Sequence, residues 1–126
     1  MKYYNLHIDF PPSKKTYKEI TTILGKSPTI SKTKNLNDTE DPSDWWLQFE
    51  EDEENDNYGD FINTFMDLLE PKLNDLKKIG VKKEDILIWL VYEYKHQCAL
   101  GFSPKELKRL GENGIAFNID CHNMVK

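Results

Sequence analysis

A strand, a capped helix and a second strand can be read in direct succession between residues 85 and 121, and nothing else in the chain narrows its fold as much. In DILIWLVYEYK, Ile86, Ile88, Leu90 and Tyr92 alternate with Leu87, Trp89, Val91 and Glu93. Both faces are apolar at the centre, as in a strand with neighbours on either side. Ser103, Pro104 and Glu106 then write an N-cap, a first-turn proline and an N3 acid in order. Leu107 and Leu110 form the apolar stripe of that helix, and Gly111 or Gly114 closes it. In the run that follows, Ile115, Phe117, Ile119 and Cys121 share one side, the expected core side of a last strand. Residues Cys98 to Phe102 either continue the strand before the helix or form a short one of their own.

The upstream half repeats the same grammar. Tyr4, Leu6, Ile8 and Phe10 alternate with Tyr3, Asn5, His7 and Asp9 until Pro11 and Pro12 end the pattern. Thr16 and Glu19 have capping-box spacing, Tyr17, Ile20, Ile23 and Leu24 make one helical stripe, and Gly25 suits a C-cap. Residues 26–44 are polar and contain Pro28 and Pro42, which predicts a long loop. WWLQFE predicts a second strand, with Trp45, Leu47 and Phe49 on one face and Trp46, Gln48 and Glu50 on the other. An acidic segment at 50–57 precedes a helix from about Tyr58, with apolar positions Phe61, Phe65, Leu68, Leu69, Leu73 and Leu76. Pro71 lies inside it and predicts a kink or a break into two short helices. The expected fold is α+β: a four- to five-stranded, mostly antiparallel sheet with about three helices packed on one face.

With 126 residues a single domain spanning 1–126 is the expectation, large enough to bury a core without metal or disulfide staples. No apolar run approaches a membrane span, and MKYYNLHIDF lacks the apolar core of a signal peptide. Cys98 and Cys121 are too few for a disulfide framework, which suits a reducing cytoplasm. The formal charge of -5 opposes binding to nucleic acid, which depends largely on phosphate neutralisation, and favours a basic protein partner.

If every helix packs on one face, alternation assigns the other by elimination. It carries Tyr3, Asn5, His7 and Asp9, then Trp46, Gln48 and Glu50, then Trp89, Glu93 and Lys95, and finally Asn118 and Asp120. Aromatic rings among acids are the composition of an interface, and tryptophan and tyrosine are frequent binding anchors. The competing account has Trp46 and Trp89 buried beneath the 26–44 loop in a second small core, and the sequence leaves both open. The partner-binding set is therefore Trp46, Trp89, Glu50, Glu93, Asp120, Asp9 and Tyr3.

Chemistry is harder to find. His96, Cys98, Cys121 and His122 are zinc-type ligands at the wrong spacing, because adjacent strand residues such as Cys121 and His122 face opposite ways. Reduced, buried cysteines without metal are the expectation. The acidic segment fails the EF-hand pattern, with Asn57 at its sixth position and Asn63 at its twelfth when counted from Asp52. The carboxylates of Asp9 and Glu50 are an acid–base pair only if folding brings them together, and Ser103 reads as a helix cap. No nucleophile elbow, phosphate loop or H-E-x-x-H is present, so neither catalytic residues nor cofactors are expected.

The order of an N-terminal strand, EITTILGKSPT, the W-x-L strand WWLQF, a leucine-rich helix and LGFSPKELKRLGENGIAFNID resembles a family of small bacterial domains known chiefly as a domain of unknown function. The resemblance spans nearly the whole chain, its motifs are structural, and it implies a compact α+β protein with no established catalytic residues to carry over. The Lys/Asn-rich stretch before Trp45 is longer than that family's pattern. In size, charge and style the chain is also similar to bacterial immunity proteins, which neutralise a toxin by covering it. The leading expectation is a cytosolic immunity protein that occludes a cognate toxin, with a basic nuclease as the natural target. The alternatives are a small ligand-binding domain or enzyme that uses the same face, and a homodimer joined through it.

Overall fold

In a computed structural model of the chain, described for residues 1–30, 40–51 and 60–125, the elements run β1 (Lys2–Asp9), α1 (Lys14–Leu24), β2 (Asp44–Glu51), α2 (Phe61–Leu69), α3 (Leu73–Lys78), β3 (Ile86–Tyr94), α4 (Pro104–Asn113) and β4 (Ala116–Asn123). The strands form one sheet in the order β2-β1-β3-β4, with β1 antiparallel to both neighbours and β3 parallel to β4. The fold is α+β with a mostly antiparallel sheet. In the parallel pair α4 lies between β3 and β4 and supplies the crossover that parallel neighbours need.

The strong apolar strand is internal, flanked by β1 and β4. Leucine-rich helix formation stops where proline predicts. After α2, residues Glu70–Lys72 form a 3-10 turn containing Pro71, and α3 resumes at Leu73. The helix-facing sides of the strands contribute Tyr4, Leu6, Ile8, Trp45, Leu47, Ile86, Ile88 and Leu90 to one core. Ile20, Leu24, Phe61, Ile62, Phe65, Met66, Leu69, Leu76 and Leu110 meet them from the helices. Trp45 is fully buried, and its indole N–H donates to Thr21 Oγ1 at 3.0 Å, satisfying the one polar atom of the ring.

The start of α1 departs from expectation. Its N-cap is Ser13, whose Oγ accepts from the Thr16 amide at 3.1 Å, so the helix begins one turn before the Thr16–Glu19 spacing suggested. Gly25 ends it at φ 67°, a conformation that glycine enters without a Cβ clash. The α4 start is as read: Ser103 Oγ accepts from the Glu106 amide at 3.2 Å, and Gly114 is the left-handed C-cap. Its apolar stripe is narrower than expected. Leu110 is buried but Leu107 is 53% exposed, because α4 lies over the edge strand of the sheet. For the same reason Ile119 is 44% exposed and Cys121 is exposed, which corrects the expectation that both lie in the core. Residues Cys98 to Phe102 form no strand; Leu100 and Phe102 pack against the core from the crossover.

α4 is fastened to α2 by one cation. Arg109 donates from Nε to Glu70, from Nη1 to Asn63 and from Nη2 to Asp67, each at 2.7 Å. Hydrogen bonds to both carboxylates hold the guanidinium pKa above its ordinary value, and the Arg109 contact is the main cause that lowers Glu70. Among the described residues no helix is long and apolar enough to cross a membrane.

Candidate interaction face

Strand register turns the alternation into a map. On the side of the sheet away from the core, Gln48, Asn5, Trp89 and Asn118 form one row across β2, β1, β3 and β4. Beside it run Glu50, Tyr3, Val91 and Asp120 in one direction, and Trp46, His7, Leu87 and Ala116 in the other. Glu93 and His122 extend the first end, and Asp9 and Asp44 the second. All seven residues assigned to partner binding, Tyr3, Asp9, Trp46, Glu50, Trp89, Glu93 and Asp120, therefore share this face. Lys95 lies just past the end of β3.

Its centre is aromatic and amide-rich. Trp46 and Trp89 lie on either side of β1, two strands apart, about 10 Å across the sheet and a two-residue step along it. Both are half-buried. That is more cover than an open platform requires and less than the sealed second core of the competing account. Asn5 sits between Gln48 and Trp89, and its Oδ1 is buried without a hydrogen-bond partner. A buried carbonyl with no donor is costly and rare in a settled structure.

The charged side chains at the paired positions of this face are Asp9, Asp44, Glu50, Glu93 and Asp120, and among these positions there is no lysine or arginine. At one end His7 lies between Asp44, at 3.1 Å from Nε2, and Asp9, at 3.8 Å from Nδ1. At the other, the Tyr3 phenol is held above its ordinary pKa, chiefly by its hydrogen bond to the Glu93 carboxylate, then by desolvation and the charges of Glu93 and Glu50. His122 Nε2 is 3.0 Å from Asp120 on the outer strand.

The condition for an acid–base pair of Asp9 and Glu50 is not met. The two lie at opposite ends of the face, six residues or about 20 Å apart along β1. Cys121 and His122 do point to opposite sides of β4, and no group of three or more metal-type ligands occurs among the described residues. The polar 26–44 loop is described only at its ends. There Thr29 runs beside β2, its amide donating to Trp46 O at 2.8 Å and its Oγ1 accepting from Gln48 N at 2.9 Å. Most of the acidic 50–57 segment lies outside the described residues, as does the start of the helix expected from Tyr58.

Glu51 is a residue whose position the composition of that segment concealed. It is only 6% exposed, the one buried charged residue among those described, and Tyr4 Oη donates to its Oε2. The signal was the continued alternation from Trp45, Leu47 and Phe49 to position 51, which outweighs membership of an acidic run. Asp44, outside the expected site, lies on the same face as Trp46 by the same period.

The chain belongs to the family described as a domain of unknown function, DUF4279, whose model matches residues 2–124. No curated protein and no solved structure matches it.

Proposed function

We propose that this DUF4279 chain is a non-catalytic binding protein of the bacterial cytosol that holds a basic protein partner, most concretely a cognate toxin, inactive by covering it with the outer face of its sheet. The observation that carries the reading is the make-up of that face: five carboxylates with no lysine or arginine at its paired strand positions, and two half-buried tryptophans around an unpaired amide carbonyl. Carboxylates at both ends steer and orient a cationic surface, while the central indoles supply the area that excludes water. A nuclease is the natural class of toxin, because a site built to attract phosphate also attracts carboxylate. Inhibition is then occlusion: the acids occupy the cations that the toxin uses for its substrate.

The test pairs this protein with the product of the neighbouring gene in a pull-down and a co-expression survival assay. A complex that rescues growth, and that Trp46→Ala or Trp89→Ala weakens by about thirtyfold or more without unfolding the domain, is the expected result. Full rescue and unchanged affinity in both tryptophan variants would place the contact elsewhere on the molecule.

A further inference from the structure

Independently of the sheet's outer face, we infer that Cys98 and Cys121 are an oxidisable dithiol, whose disulfide ties the crossover ahead of α4 to the C-terminal half of β4. Both are free thiols, and their Sγ atoms are 2.9 Å apart, against roughly 2.05 Å for the covalent bond. Cys121 is exposed and Cys98 partly so, which lets a small reagent reach them.

The location gives the bond something to do. α4 covers the beginning of β4, but from Ile119 to Val125 every residue is exposed. That half is held by its ladder to β3, by the Met124 amide donating to Tyr94 O at 2.8 Å, and by the thiol contact. A covalent link there anchors an edge strand where packing is thinnest. Asp120 and His122 flank Cys121 and face the other way, so the link also fixes the outer margin of the acidic face. A metal is a poorer occupant, since no third ligand joins the two sulfurs among the described residues.

The oxidant is a small-molecule disulfide. The thiolate of one cysteine attacks a sulfur of the reagent and expels one small thiolate. The second cysteine's thiolate then attacks the protein-bound sulfur and expels the other. Two electrons leave the protein, the reagent's S–S bond is reduced, and the two thiol protons end on the departing thiolates. Contact with Cys98 is the main cause holding the Cys121 thiol above its ordinary pKa, so exchange accelerates as pH rises.

The experiment incubates the full chain with excess oxidised glutathione, and follows intact mass, alkylation and thermal unfolding. The expected product is two hydrogens lighter, resists alkylation, yields a peptide linking 98 to 121 and reverts with dithiothreitol. Its Tm is higher by roughly 5–10 °C. Cys98→Ser and Cys121→Ser should each stop at a single mixed disulfide with no such rise. Two alkylatable thiols, or stable mixed disulfides on both wild-type cysteines, would overturn the pairing. A disulfide that left both Tm and amide exchange in residues 119–124 unchanged would overturn the tie.

Discussion

The two faces of the sheet use the same strands for opposite ends. On the inner face of β1, Tyr4, Leu6 and Ile8 are buried in one apolar cluster with residues from the helices. One residue along, Tyr3, Asn5 and His7 lie half-buried among carboxylates, and Asn5 carries an unpaired carbonyl. β3 divides in the same way, with Ile86, Ile88 and Leu90 inward and Leu87, Trp89 and Val91 outward. Close packing makes the inner face intolerant of change in volume, while the outer face retains one buried carbonyl, on Asn5, that folding alone leaves unsatisfied. A period of two thus lets adjacent residues be under different demands, one sealed in the core and the next on the face proposed to bind a partner.

Substitutions of adjacent residues test that division most severely. Ile88→Ala should cost roughly 3 kcal/mol of folding stability in chemical denaturation, since it opens a cavity in a fully buried site. Trp89→Ala should cost clearly less stability but about 2 kcal/mol or more of binding in the toxin assay. Equal stability losses in the two variants would erase the distinction between the faces.

Arg109→Ala should destabilise the domain by roughly 1–2 kcal/mol by leaving Asn63, Asp67 and Glu70 without their shared donor, with partner affinity untouched. Lysine should rescue little, because one ammonium cannot reproduce the three-way fork. Asn5→Val should have the opposite sign. Removing a buried carbonyl with no partner stabilises the fold by about 1 kcal/mol, while affinity for the partner falls. A loss of stability there would show that the amide already serves the fold.

Smaller effects sharpen the comparison. Glu50→Lys, Glu93→Lys and Asp120→Lys should slow association several-fold at low salt and little at high salt, with dissociation less changed, as befits charges at a rim. The Glu70 pKa is lowered by Arg109, so its contribution is present above the usual carboxylate range and is lost as pH falls through its folded value. Thermal unfolding against pH should therefore show the gap between wild type and Arg109→Ala narrowing below about pH 4.5, by at most about 1 kcal/mol for so exposed a pair.

How far each feature could be read from the chain depended on how local its cause is. The Ser103–Glu106 cap, the break at Pro71 and the alternation of β1, β2 and β3 arise within a few residues, and each was legible. The first cap lies three residues before the Thr16–Glu19 spacing, because Ser13, directly after two prolines, is the cap and the fuller capping-box pattern at Thr16 is not used. β4 departs from its pattern for a tertiary reason: Phe117 packs against Phe61 of α2 and Phe102 of the crossover, whereas Ile119, farther along the edge strand, is exposed.

By itself the sequence determined which residues of each strand share a side, where the last helix begins and where the leucine-rich one breaks, and that the balance of charge is negative. Those follow from the two-residue period of a strand, from backbone geometry at proline and glycine, and from composition. Tertiary structure decided the strand order and the parallel entry of β4. It also gathered the five carboxylates onto one face with no lysine at its paired strand positions, separated Asp9 from Glu50, and brought Cys98 to Cys121 across 23 positions. The physical reason is that pairing between distant strands is selected by the packing of the whole core, and register along one strand carries no record of which strand will lie beside it.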